Sequence, residues 1–226
     1  MSWILNLFLS TLGRKLIVAL TGLFLILFLA VHVSGNFTLL KGDGGEAFNA
    51  YSEFMSANPL IQTVAWLTKI FIVLHVVQTI LLTIYNRKAR PEKYAFSKPG
   101  ETSTWSSRNM MFLGSIILIF LILHLKTFWY EFHYGNVPMT SYDTEIPDYY
   151  AVVAAAFSQL WYVLIYLVAL IGLSFHLWHG FQSSFQTLGL NHPRYNPLIH
   201  GFGALFAILV PLGFATQPIY LYLIQM

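Results

Sequence analysis

The sequence predicts an all-α integral membrane protein: one bundle of five transmembrane helices over residues 1–226. Three observations carry this. The chain is 57% hydrophobic and only 9% charged, against roughly a quarter charged in a soluble chain, so it lacks the polar residues to cover a water-facing surface. It holds five apolar runs, each near the roughly 20 residues needed to cross about 30 Å of hydrocarbon. Its charges sort to alternate loops.

The runs are Leu16–Leu40, Leu60–Tyr85, Met110–Tyr130, Ala151–Gln182 and Leu198–Ile224. Met1–Thr11 is apolar but precedes every positive charge, which suits an interfacial helix rather than a signal peptide, whose basic region comes first. Gly13-Arg14-Lys15 marks the start of the first crossing. Thr, Ser, Gly and Pro within the runs point to packed or ligand-lined helices, and Pro211 predicts a kink in the fifth.

Arg14, Lys15, Arg87, Lys88, Arg90, Lys93, Lys98, Arg108 and Arg194 flank one side, nine of the twelve basic residues. Only Glu92 and Glu101 lie with them, while Asp43, Glu46, Glu53, Glu131, Asp143, Glu145 and Asp148 occupy the opposite loops. The positive-inside rule then makes the N-terminus cytoplasmic. Asn86–Ser107 becomes an inner loop, either a docking surface or a segment that only sets orientation. A formal charge of +3, dispersed along the chain, does not suit nucleic acid. The absence of cysteine excludes disulfides, thiolate metal sites, an iron–sulfur cluster on this chain and covalently attached c-type haem.

Histidine inside a membrane span is functional by default. His32, His75, His124, His176 and His179 lie in the runs; His133, His192 and His200 lie in loops or at interfaces. A rise of about 1.5 Å per residue places His32 ~26 Å and His124 ~24 Å from the basic surface, and His75 ~17 Å and His176 ~15 Å from it. Two pairs result, each joining alternate helices: His32 with His124 further out, His75 with His176 further in. His179, ~4.5 Å along the helix from His176, competes for the second pair. Two imidazoles facing each other from different helices suit the axial positions of a haem iron. Zinc or di-iron sites want carboxylate or thiolate ligands that these spans lack. The pattern predicts two b-type haems within the bundle, with Gly22, Gly35, Gly114, Gly172 and Gly180 either admitting the macrocycles or simply allowing close packing.

The chain resembles the dihaem cytochrome b membrane anchor of succinate dehydrogenases and fumarate reductases, the single-anchor b558 type. The resemblance runs over essentially the whole chain. It is carried by Phe175-His176-Leu177-Trp178-His179-Gly180-Phe181 with Leu188-Gly189, by Gly13-Arg14-Lys15 with Thr21-Gly22, and by Gly45-Glu46-Ala47-Phe48-Asn49 before Phe54-Met55. It implies His176 as the ligand and His179 as a pocket residue, with His75 and His176 on the inner haem and His32 and His124 on the outer one.

The resemblance also implies a function: a subunit in the bacterial cytoplasmic membrane, passing electrons between an iron–sulfur subunit and a membrane quinone, usually menaquinone. A flavoprotein subunit of the same complex would carry the dicarboxylate site for succinate oxidation or, in reverse, fumarate reduction. Oligomers of such complexes remain open. Proton-coupling members carry glutamate two residues before the helix-four histidine; here Ser174 stands there, which favours the succinate-oxidising direction. Competing readings are another quinol-oxidising dihaem cytochrome b, a haem-free transporter with a histidine relay, and a purely structural anchor.

Arg14, Lys15 and Arg108, at helix ends, are candidate contacts for the inner haem's propionates as well as orientation signals. Lys69 lies six residues before His75 and ~9 Å further out, so it either snorkels or meets an outer propionate. Quinone reduction consumes protons. Glu53, with Glu46 as the second candidate, is the outer-loop acid placed to supply them, and the resemblance sets an acid of this region beside the outer haem.

Overall fold

In the computed structural model, residues 8–89, 99–140 and 145–226 are described. Met1–Leu7 of the expected interfacial helix, Arg90, Glu92, Lys93 and Lys98 of the basic loop, and Asp143 lie outside them. Five helices among the described residues are long and apolar enough to cross a membrane. The protein is an all-α, multi-pass membrane bundle.

Helix α1 (Thr11–Asn36) starts where Ser10 Oγ accepts from Gly13 N at 3.0 Å, and a 3-10 turn, Phe37–Leu40, extends it. After a short loop, α2 (Glu46–Ala57) precedes α3 (Pro59–Lys88). Asn58 caps α3 through its side chain, with Pro59 in the first turn, where the missing N–H costs nothing. Helix α4 (Met110–His124) runs on through a π-helical segment, Leu125–Tyr130, and a last turn, Glu131–Tyr134. Helices α5 (Tyr149–Phe157), α6 (Leu160–Thr187) and α7 (Asn196–Leu223) complete the chain.

The fourth crossing differs from its expected range. Ala151–Phe157 is apolar enough to belong to it, but the chain breaks at Ser158-Gln159, where Gln159 is extended, and the membrane helix is Leu160–Thr187. The apolar side chains of α5 serve another purpose: Val153 and Phe157 are buried in a core with Phe48, Phe128, Tyr162 and Leu221. Helix α7 is continuous through Pro211 and Pro218. Pro211 has no N–H for the carbonyl of Ala207; Ser174 Oγ donates to that oxygen at 2.6 Å instead, so Ser174 ties α6 to α7 at the point the proline leaves open.

Helix α6 is central, packed on α7, α1 and α4, and α1 also packs on α3. Backbone packing between α3 and α4 is sparse. Their side chains meet near each end, where Lys69 Nζ lies 4.8 Å from the centre of the Trp129 ring and Thr83 Oγ1 lies 3.8 Å from Met111 Sδ. Helices α1, α3, α4 and α6 thus form a four-sided arrangement with one loosely closed side. Its diagonals are α1–α4 and α3–α6. We name its ends by charge: a basic end with Arg14, Lys15, Arg87, Lys88 and Arg108, and an acidic end with Glu46, Glu53, Glu131 and Asp148.

Helices α2 and α5 cover the acidic end. Asn49, wholly buried, donates to Asp148 Oδ1 at 2.9 Å and accepts from Tyr150 N at 2.8 Å; the same Asp148 oxygen caps α5 at Ala151 N. Gly45, at φ +94°, lies against the Tyr150 ring, a conformation and a closeness that only glycine allows at low cost.

Candidate functional site

Each diagonal carries one pair of histidines. His32 on α1 and His124 on α4 face each other with ring centres 5.9 Å apart and planes at 88°. His75 on α3 and His176 on α6 lie 6.4 Å apart at 64°. The helices of each pair share little backbone contact, so the imidazoles meet across the interior rather than at a packed interface. These are the two pairs that the depth calculation groups together.

The spacing has a chemical meaning. A direct N–H···N hydrogen bond of about 3.0 Å would bring two imidazole centres to about 5.3 Å, and no hydrogen bond joins the rings of either pair. Two trans imidazoles on one metal ion, with bonds of about 2.0 Å, place the centres about 6.3 Å apart. Both pairs lie within a few tenths of an ångström of that figure. Glycine opens space beside the second pair: a Cβ on Gly22 would lie 3.3 Å from His75 Cε1, and one on Gly114 would lie 3.9 Å from His176 Cε1. Gly35, Gly172 and Gly180 instead receive Tyr51, Ile116 and Met110, which is ordinary packing.

The partners on the far side of the rings fix tautomers. Thr21 Oγ1 donates to Ile17 O at 2.6 Å, so toward His75 Nδ1, 3.2 Å away, it can only accept. His75 therefore carries its proton on Nδ1 and keeps the Nε2 lone pair, as a metal-binding imidazole requires. His124 Nδ1 lies 3.0 Å from the Tyr166 hydroxyl, which lies 3.3 Å from that of Tyr162. His176 Nδ1 is buried with no hydrogen-bond partner. The described residues hold no cluster of three or more His, Cys, Asp or Glu side chains that could bind a bare metal ion. Neutral imidazole pairs without carboxylates suit a metal that brings its own equatorial ligands. The residues present fit two haems.

The surroundings differ. His32 stacks on Phe28 at 5.3 Å and leans on Phe214; His124 lies among Phe120, Phe128 and Tyr166. The π-helical segment of α4 begins at the residue after His124, and such segments recur at functional sites because they re-aim side chains. Among the described residues, His179 makes no ring contact with His75, which pairs with His176. His179 lines a polar cavity of about 440 Å³ at the basic end with Ser103, Gln182, Gln186, Asn196 and His200. His133 is exposed and bonded to Trp129 O; His192 is exposed and accepts from Arg194 N.

The basic candidates have protein partners or face outward. Arg14, nearly buried, donates to Leu9 O at 3.0 Å and to Gln78 Oε1 at 3.4 Å, and its guanidinium lies over Tyr85. Arg108 donates to the carbonyl and hydroxyl of Ser103, and Lys15 is exposed. Lys69 is half-buried, and its ammonium sits 4.0 Å from the Trp66 ring centre and 4.8 Å from that of Trp129. Two indole faces stabilise a cation through their ring quadrupoles.

Among the acids, Glu53 is half-buried on α2, and the Tyr149 hydroxyl makes a long contact of 3.5 Å with its carboxylate. Burial is the main cause that raises the Tyr149 phenol above its ordinary pKa; the Ser56 hydrogen bond opposes this and the Glu53 charge adds to it. Glu46 is exposed in the first turn of α2. Beside α2, a cleft of about 400 Å³ is lined by Ala30, Ser34, Gly35, Thr38 and Tyr51, and burial raises the Tyr51 phenol.

Sequence reasoning passed over Tyr162 and Tyr166. A signal existed: Tyr166 stands ten residues before His176 on one helix, ~15 Å further toward the acidic end. Comparison with protein-family models, characterised proteins and solved structures returns no match.

Proposed function

We propose that the chain is a dihaem cytochrome b that anchors a succinate:quinone oxidoreductase in the bacterial cytoplasmic membrane, N-terminus inside, and passes electrons between an iron–sulfur subunit and a quinone, usually menaquinone. The observation that carries this reading is the spacing of the two histidine pairs, 5.9 and 6.4 Å between ring centres, at two levels of one bundle. That spacing favours an intervening iron over a histidine relay, whose imidazoles would bond directly. The narrower assignment, to succinate rather than another donor, rests on the sequence resemblance.

His75 and His176 would hold the haem nearer the cytoplasm, and His32 and His124 the other. The haems, when bound, supply one-electron chemistry across the membrane. The chain's own part is to hold neutral imidazoles in place, as Thr21 does for His75, and to keep water away from the rings with Phe28, Phe120, Phe128 and Phe214. Glu53, reached from the acidic surface and backed by Tyr149, is placed to deliver protons to a quinone near the acidic end. The basic end, with its cavity and loop, faces the soluble flavin and iron–sulfur subunits in this reading.

The test is a reduced-minus-oxidised absorption spectrum of the purified membrane protein with its haem content per chain. A b-type α-band with two haems per chain is the expected result. A haem-free preparation that retains the folded bundle would sink the reading and favour the relay.

A further inference from the structure

We propose that Tyr166 is the positioning residue of the acidic-end haem, and that Tyr162 sets the direction of its hydrogen bond. This rests on the dihaem reading above and goes beyond the axial ligands. The His124 Nδ1–Tyr166 hydroxyl distance is 3.0 Å and the Tyr166–Tyr162 hydroxyl distance is 3.3 Å. Both tyrosines are buried, 6% and 5% exposed, so water does not compete for these groups.

A tyrosine hydroxyl both donates and accepts. Were Tyr166 to donate to Nδ1, the imidazole proton would sit on Nε2 and point at His32, and His124 could not bind metal. Either hydroxyl of the Tyr166–Tyr162 pair can be the donor; with Tyr166 as the donor, Tyr162 takes its hydrogen. The Tyr166 lone pair is then left for an Nδ1–H, and Nε2 is free. Tyr166 thus does for His124 what Thr21 does for His75, with one difference: the Thr21 hydrogen goes to a backbone carbonyl on its own helix, whereas that of Tyr166 goes to a second side chain. Each pair has one imidazole held by a hydroxyl, His124 and His75. Among the described residues, their opposite members, His32 and His176, have no hydrogen-bonded hydroxyl.

An acceptor behind Nδ1–H makes the imidazole a stronger donor to iron, which favours the ferric over the ferrous state. Removing it raises the midpoint potential. Loss of such an outer partner typically weakens metal binding by about 10–100-fold. Each tenfold loss confined to the ferric state corresponds to about 59 mV for a one-electron couple.

The experiment is redox potentiometry, with low-temperature paramagnetic resonance of both ferric centres, on the haem-loaded protein and its Tyr166→Phe and Tyr162→Phe variants. His124→Leu identifies the acidic-end centre as the one it removes. Tyr166→Phe should raise that centre's midpoint and shift its resonance while the other centre keeps both. Tyr162→Phe should move the same centre in the same direction by less. If Tyr166→Phe loses haem altogether, Tyr162→Phe decides: a shift confined to the acidic-end centre supports the proposal, and unchanged centres overturn it. Two haems with unmoved potentials in Tyr166→Phe also overturn it and leave the dihaem reading standing. Wild-type protein without haem overturns both.

Discussion

The two ends of the bundle hold similar histidine pairs in dissimilar walls. At the acidic end, His32 and His124 are wrapped by Phe28, Phe120, Phe128, Phe214 and Tyr166, under a lid of α2 and α5 locked by Asn49. At the basic end, His75 and His176 are bordered by Thr21, Gly22 and Gly114, with a polar cavity beyond them. One wall works by filling space with rings, the other by leaving space and placing a hydroxyl. Histidine pairs of similar spacing are therefore bordered by packing at one end and by open space at the other, and substitutions should separate the two.

On the dihaem function proposed above, the largest expected effect is removal of a ligand. His176→Leu should take away the basic-end haem and leave the other, giving one haem per chain by extraction and spectroscopy; His32→Leu should do the reverse. If either variant keeps both haems, that residue is not an axial ligand and the pairing by diagonals fails.

Next comes the glycine contrast. Gly22→Val puts bulk where a Cβ already lies 3.3 Å from His75 Cε1, so it should lower occupancy of the basic-end haem alone. Gly35→Val meets Tyr51 instead and should disturb the lid without touching a ligand. Overpacking of this kind costs about 1–3 kcal/mol. Equal loss of both haems in Gly22→Val would show a general folding defect rather than a local one.

How far the sequence carried this comparison depends on the physics of each feature. The five crossings were legible because hydrocarbon demands long apolar runs. The His pairs were legible because a helix converts residue number into depth. Helix α5 was not, since Val153 and Phe157 are as apolar as a membrane helix yet are buried by the lid; hydropathy reports transfer from water and is blind to what replaces it. For Lys69, Trp66 is a neighbour three residues back on α3, but Trp129 comes from α4, whose angular position no spacing rule supplies. Ser174 reads as a lost glutamate in sequence, whereas the structure gives it the Ala207 carbonyl that Pro211 cannot use.

A smaller effect is expected at the lid. Asn49→Ala removes the wholly buried amide that accepts from Tyr150 N and donates to Asp148 Oδ1, at a cost of about 1–3 kcal/mol. Thermal release of haem, followed by absorbance, should begin earlier for the acidic-end centre and stay unchanged for the other. Simultaneous release would mean that the two ends melt as one unit, and the comparison would lose its energetic content.

The finest distinction concerns protons. Glu53→Gln keeps the side chain's size and removes its charge. Because the Glu53 charge helps raise the Tyr149 phenol, the variant should bring that phenol back toward its ordinary range, read as an earlier phenolate absorbance rise on alkaline titration, with Tyr149→Phe to assign it. Burial is the larger cause of the shift, so the return is partial. Both haem spectra should be retained, since neither residue touches a ligand. Quinone turnover should fall if the acidic end is where protons meet the quinone, while Glu46→Gln, exposed at the start of α2, should keep it. Full turnover in Glu53→Gln with the titration shift present would separate the electrostatics from the chemistry. Quinone reduction would then belong at the other end, where His179, Gln182 and His200 line the polar cavity.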